Sequence, residues 1–341
     1  ITFFLTHRCN LQCKMCGQWG ETGVSKSLTK ESVRQELPVS VYRNLVTQIA
    51  RFKPSITLFG GEPLLYPDYI PLVETIKHRG MHCLTITNGT LLERYAEQIV
   101  TSGLDELNLS LDGDEELHDR IRGLAGLFNR IKSGILSIQH YKSQHKKPRP
   151  LINLQCTITP YNYQYLDRLI TVAQEFRADS LTFHHLIYLT REKYLENQNL
   201  YRDLLSCTAS GWAGFVSDLA QQVDREKLVA QINEIKAKSS RLAIDFYPNF
   251  SDTEIRQYYL NPNFVPLEFN RRCLSPWLVA YIFPDGNVRP CLNSEFNFGN
   301  VNETAEFSRI WNSAEAIKYR RTLKEQNLFP ACTRCTEFYR Y

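Results

Sequence analysis

Short β-rich runs alternate with longer runs of helical period from residue 1 to about residue 190. The strand candidates are ITFFLT (1–6), SITLFG (55–60), HCLTIT (82–87), ELNLSL (106–111), LINLQCTI (151–158) and SLTFHHLIYL (180–189). Between them lie amphipathic stretches such as VYRNLVTQIARF (41–52), LLERYAEQIV (91–100) and YQYLDRLITVAQEF (163–176). Six β-then-α units in order predict a parallel sheet with right-handed crossovers. That number falls short of a full eightfold barrel.

The alternation inside the strands says more. Leu107, Leu109 and Leu111 share one face, and Asn108, Ser110 and Asp112 share the other. Likewise Ile152, Leu154, Cys156 and Ile158 oppose Asn153, Gln155 and Thr157. Strands buried on both faces read as continuous apolar runs. Here one face packs helices and the polar one lines a cavity, which predicts a curved, hollow sheet. By this parity Cys156 is a core residue, His184 faces inward and His185 outward.

Residues 190–240 are mainly helical in pattern, and RLAIDFYP (241–248) reads as another strand. From about residue 265 cysteine returns in RRCLSPWLVAYIFPDGNVRPCLN, where Asp285-Gly286 suits a tight turn between short strands. These shifts place a boundary near 240. They predict an α/β domain of residues 1–240, a partial (β/α)6 barrel with a helical extension, and a small α+β domain of residues 241–341.

Composition narrows the function. The apolar content of 43% and charged content of 22% are those of a globular chain. No apolar run reaches membrane-span length and no secretory signal pattern is present, so no membrane partner is expected. The chain opens at Ile1 without an initiator Met, so preceding residues are expected. A net charge of +4 is too mild to argue for nucleic acid, and the basic stretch HYKSQHKKPRP (140–150) reads as a solvated loop. Seven of the ten cysteines fall into two groups with metal-like spacing. That usage predicts a reducing, cytoplasmic setting and iron or zinc chemistry.

The first group, Cys9, Cys13 and Cys16, directly follows the first strand, at the rim where ligands gather in β/α sheets. A structural zinc site wants four ligands. Three thiolates can hold three irons of a cubane 4Fe–4S cluster and leave the fourth open; half of a zinc site or an electron carrier are the alternatives. The second strand ends in Gly60-Gly61-Glu62-Pro63 at the same rim, where glycines let backbone approach a ligand. Asn88, Ser110 and Asp112 are candidates to bond a ribose, and Arg122 to hold a carboxylate.

CxxxCxxC after the first strand, GGEP after the second, and the repeated β/α pattern together resemble the radical S-adenosylmethionine (SAM) enzymes over residues 1 to about 190. The resemblance implies a 4Fe–4S cluster whose open iron chelates the amino and carboxylate groups of SAM. Reductive cleavage of SAM would then give a 5′-deoxyadenosyl radical that abstracts hydrogen from an unactivated carbon. It also carries SAM contacts over to Gly60, Gly61, Glu62 and Ser110. The residue before the third cysteine is usually aromatic and lies near the adenine. Here it is Met15, whose flexible thioether can fill that space.

The second group is Cys273, Cys291, Cys332 and Cys335. Four sulfurs satisfy tetrahedral zinc or a closed 4Fe–4S cluster. C-x12-G-x4-C, a gap, then CxxC resembles the auxiliary-cluster extension called SPASM, in its shortened "twitch" form with one auxiliary cluster. The expected activity is oxidative or coupling modification of a peptide precursor, as in natural-product maturation. A dehydrogenase or epimerase of a sugar, aminocyclitol or other small molecule is the alternative, and a non-catalytic iron–sulfur or zinc protein the alternative of another class. Besides the substrate, the expected partners are a reductase such as flavodoxin or ferredoxin and a separate peptide-binding protein. Candidate catalytic residues are Cys207, as a hydrogen-atom donor, and an inward His184. For each the structural reading is the favoured one, and Trp212, Tyr247 and Trp277 either line the entrance or belong to the core.

Overall fold

Ten strands share one sheet among the described residues, which are 1–238, 242–266, 272–304 and 306–340 of this computed structural model. In chain order they are β1 (Thr2–Phe4), β2 (Ile56–Phe59), β3 (Cys83–Thr87), β4 (Glu106–Ser110), β5 (Leu151–Thr157), β6 (Ser180–His184), β7 (Ala243–Tyr247), β8 (Tyr281–Ile282), β9 (Asn287–Arg289) and β10 (Gly299–Asn300). Their spatial order is β10-β9-β8-β1-β2-β3-β4-β5-β6-β7. Neighbours from β8 through β7 pair parallel, and β8, β9 and β10 pair antiparallel. The sheet keeps two edges, β7 and β10, so it is a partial barrel.

The outward residues of the strands form the main core. Leu107, Leu109, Ile152, Leu154 and Cys156 are all buried under the helices, each apolar side chain contributing roughly 1.5–3 kcal/mol by leaving water. Helices Leu92–Thr101 and Leu127–Gln144 cross so closely that a Cβ on Gly134 would lie 2.4 Å from Leu92 Cβ. The inner face carries a separate aromatic cluster of Phe4, Val279, Tyr281 and Phe283. Phe4 stacks on Phe283 at 5.0 Å, joining β1 to the segment after β8. The rest of the inner wall is polar: Asn153 Nδ2 donates to Asn108 Oδ1 at 3.1 Å and Ser180 Oγ to Asn153 Oδ1 at 3.0 Å.

Several boundaries differ from the expected ones. The strand foreseen over 180–189 stops at His184; His185 N still reaches Tyr247 O at 2.9 Å, and the chain then leaves the sheet. The run foreseen at 241–248 forms β7 and prolongs the parallel sheet beside β6, one strand beyond the six units foreseen. Residues 140–144 are not loop but the last turn of helix Leu127–Gln144, whose buried Ile131, Ile135 and Ile138 carry the apolar stripe toward it. The domain boundary expected at 240/241 lies outside the described residues. No helix among the described residues is long and apolar enough to cross a membrane.

Glu62 ties the rim together. Its fully buried carboxylate accepts from Leu64 N at 3.1 Å, Thr87 Oγ1 at 2.7 Å and Asn88 N at 2.8 Å, clamping the loop after β2 to the end of β3. Burial nevertheless pushes the carboxyl from its ordinary 4.5 up to about 7. Between those values the native state holds a proton that the unfolded chain has released. The stability this group contributes is complete below 4.5 and is lost as pH rises through 7. Urea unfolding across that range should show wild type losing up to about 3 kcal/mol more than Glu62→Gln, which has no proton to release. Equal pH slopes in the two proteins would contradict this account.

Candidate functional site

The loop after β1 is seated backbone to backbone on the loop after β2. Gly61 N donates to Thr6 O and Glu62 N to Arg8 O, each at 2.8 Å. A Cβ on Gly60 would stand 2.6 Å from Thr6 O, and one on Gly61 2.3 Å from Arg8 O, so only glycine permits this contact. Pro63 opens the 3-10 turn that follows, capped by the Glu62 side chain. The amides of Gly61 and Glu62 thus hold the cysteine loop, and the Glu62 carboxylate is spent on protein donors.

Each sulfur of the first group meets an N–H donor. Asn88 Nδ2 lies 3.8 Å from Cys9 Sγ, Arg122 Nη1 lies 3.7 Å from Cys13 Sγ, and Trp19 N lies 3.4 Å from Cys16 Sγ. Burial pushes the Cys9 thiol up to about 12. It raises Cys13 as well, against the pull of the Arg122 guanidinium. Such thiols ionise when a metal binds them, and donors already aimed at the sulfurs suit thiolates.

Arg122 closes helix Glu115–Arg122 and reaches Asp112 Oδ2 through Nε at 2.6 Å. Asp112 is fully buried, and its other oxygen accepts Thr157 N at 3.0 Å. The two residues foreseen as ribose and carboxylate contacts thus bond each other and the end of β5. Asn88 bonds Asn10 Oδ1 at 3.0 Å and accepts from Thr90 Oγ1 at 2.7 Å. Ser110 ends β4 half-buried opposite Gln155, and Met15 is half-buried in the cysteine loop. His184 Nε2 meets Gln155 Oε1 at 2.7 Å on the inner wall. Burial holds its imidazole down to about 4. It is neutral at pH 7, so Nε2 carries the proton and Nδ1 accepts.

The four later cysteines gather at a second centre. Cys332 lies within electrostatic reach of Cys273 and Cys291, and Cys335 within reach of all three. Burial raises each of the four thiols, Cys273 to about 12. The Cys291 sulfur accepts from Asn293 N, Ser294 N and the Tyr319 hydroxyl, and Tyr319 bonds Tyr201 at 2.8 Å. Between Cys332 and Cys335, buried Arg334 donates to Tyr258 O, Asn261 O and Phe264 O, the carbonyls at and beyond the end of helix Asp252–Leu260. A cation at a helix C-terminus is stabilising, and it pins the CxxC turn. Cys207 sits within reach of Cys291, Glu295 and Lys318 at this centre, where its thiol is raised to about 11 mainly by burial. Tyr247 donates to Thr336 O at 2.7 Å, Trp212 is buried, and Trp277 carries Arg272 over its ring.

Among the described residues no three His, Cys, Asp or Glu side chains converge on the position of a single metal ion. The thiolates of both cysteine groups are ligands of the kind that iron–sulfur clusters take. Sequence reasoning missed Trp19, Asn10, Arg334 and the turn Ser210–Phe215. Only the glycines of CGQWG and SGWAGF signalled the close contacts made there.

Comparison with known proteins agrees. Residues 3–144 match the family model described as the radical SAM superfamily, and residues 273–336 match that of an iron-sulfur cluster-binding domain. Fe-coproporphyrin III synthase of Methanosarcina barkeri is 28% identical over 59% of this chain and 47% of its own, so the chain spans about half the length of that relative. PqqA peptide cyclase of Xanthomonas axonopodis pv. citri is 26% identical over 93% of this chain and 75% of its own. Streptococcus suis SuiB bound to precursor peptide SuiA shares the fold with a TM-score of 0.65 and 16% identity, over 94% of this chain and 66% of SuiB. The chain therefore carries a radical SAM domain followed by a SPASM-type domain, with a SAM-binding 4Fe–4S cluster, an auxiliary 4Fe–4S cluster and SAM as its cofactors.

Proposed function

We propose that this enzyme carries out an oxidative or coupling modification of a peptide precursor, with residues 1–240 as its SAM half and residues 241–341 as a single-auxiliary-cluster twitch half. Cys9, Cys13 and Cys16 would hold the first cluster and Cys273, Cys291, Cys332 and Cys335 the second. SAM, when bound and reduced, supplies the hydrogen-abstracting radical. Arg122 and Asn88 keep the thiolates of Cys13 and Cys9 in place, and the Gly60-Gly61 contact fixes their loop at the mouth of the barrel. A cytoplasmic reductase such as flavodoxin or ferredoxin would deliver the electron.

One observation supports a peptide over a tetrapyrrole, the two substrate types named among the relatives. Beside the Glu106 carboxylate that Asn153 bonds at 2.9 Å, the inner wall presents neutral amides and hydroxyls: Asn108, Asn153, Gln155, Ser180 and neutral His184. These match the donors and acceptors of a polypeptide backbone. A porphyrin bearing several carboxylates would ask for free cations. Two arginines near the rim are engaged, Arg122 by Asp112 and Arg289 by Asp285.

With strong reductant and SAM, wild type should release 5′-deoxyadenosine, and Cys13→Ala should release none; turnover in that variant would sink the assignment. A pooled library of synthetic peptides should accelerate this release and carry the mass change of the product. Acceleration by Fe-coproporphyrin III alone would overturn the peptide reading. Anaerobic reconstitution should yield about eight irons per chain, falling to about four in Cys332→Ala/Cys335→Ala. About four irons in both, with one zinc in wild type, would make the second centre structural.

A further inference from the structure

The six-residue turn Ser210–Phe215 touches both cysteine groups. On one face Gly214 meets Gly17, the residue after Cys16. A Cβ on Gly214 would stand 1.9 Å from Gly17 O, and one on Gly17 would stand 2.6 Å from Phe215 Cζ. Thr22 Oγ1 donates to Gly214 O at 3.1 Å beside this contact. On the other face Gly211 meets Asn293, two residues past Cys291, where a Cβ would lie 2.7 Å from Asn293 Cα. Glu295 N donates to Thr208 O at 3.1 Å, and the Glu295 carboxylate accepts from the hydroxyls of Thr208 and Ser210.

Helix Arg191–Leu205 braces the turn from behind. Gln198 Oε1 accepts from Ala209 N at 3.0 Å, and Asn197 Oδ1 accepts from Ala331 N, beside Cys332, at 3.1 Å. Backbone thus lies against backbone on both faces of the turn, with the Phe215 ring packed on Gly17 beside the first contact. Close-packed interiors transmit such strain. A shift of the Cys291 loop moves Gly211, and through the turn it moves Gly214 and Gly17, next to Cys16.

We propose that Ser210–Phe215 is a positioning strut between the two clusters, setting the seat of Cys16 according to how the second cluster holds Cys291. The affinity of the first cluster's open iron for SAM then depends on the second centre, and the coupling is reciprocal. The inference rests on both centres holding clusters.

The test uses the anaerobically reconstituted full chain, with iron counts and electron paramagnetic resonance of each reduced cluster. Gly211→Ala, whose methyl meets the second loop, should keep both clusters yet weaken SAM binding several-fold, read from a SAM titration of the first cluster's signal. Gly214→Ala, whose methyl meets the first loop, should shift the midpoint potential of the second cluster. Changes confined in each variant to the cluster it touches overturn the strut. If the glycine variants lose iron, Glu295→Ala, which removes the hydroxyl contacts without adding volume, is read the same way: unchanged SAM affinity overturns the strut. A single signal in wild type overturns the two-cluster reading and the strut together, whereas two signals that respond independently overturn the strut alone.

Discussion

The rim of the barrel depends on one buried ion pair. Asp112, just beyond β4, receives Arg122 at 2.6 Å on one oxygen and Thr157 N of β5 at 3.0 Å on the other. Its own N–H bonds His118 Nδ1 at 3.1 Å, and its carbonyl accepts Asn162 Nδ2 at 2.9 Å. Two strands, a helix and a turn meet at one residue. Arg122 carries that order onward to Cys13 Sγ, while Lys14 N bonds Ile121 O at 3.1 Å in the same helix. Removing one partner of such a pair strands a buried charge, at a cost of about 3–5 kcal/mol. Geometry at the first cysteine loop is therefore inherited from the sheet.

The two centres differ in their electrostatic surroundings. At the first, a guanidinium and a carboxamide face the sulfurs, with the Glu62 and Asp112 carboxylates within electrostatic reach of Cys9 and Cys13. At the second, the neighbours are the Tyr319 hydroxyl and the Glu337 carboxylate, which lies within electrostatic reach of Cys273, Cys291 and Cys335. Nearby negative charge disfavours adding an electron to a cluster, and hydrogen bonds to sulfur oppose that effect. The chain has thus given each cluster its own potential-setting neighbours.

Much of the fold was legible because strand parity is a strict signal. Leu107 and Leu109 fell on the helix side and Asn108 on the inner wall, as the period of two requires. Cysteine spacing likewise marked both centres. The roles of polar rim residues were not legible, because a carboxylate beside a rim can serve a ligand or a neighbouring strand. Asp112 and Glu62 bond neighbouring strands and loops, which only their partners reveal. Nor could spacing bring Gly17, Gly211 and Gly214 together with Asn293, since these contacts join segments remote in sequence. The sheet's extension through β7 was hidden because a strand's pattern does not name its neighbour.

The inner wall suggests a division of labour along the sheet. Its aromatic side, Phe4, Tyr281 and Phe283, joins β1 to the C-terminal hairpin, so it is also the seam between the two cysteine regions. The polar side, on β4 to β6, lies across the barrel from that seam and keeps its amides bonded in pairs, Asn153 to Asn108 and Gln155 to His184. Paired amides exchange partners at small cost when a ligand offers equivalent bonds, whereas a stacked aromatic seam would lose packing. Adaptation to a new substrate is therefore easier at Asn108, Asn153 and Gln155 than at the seam.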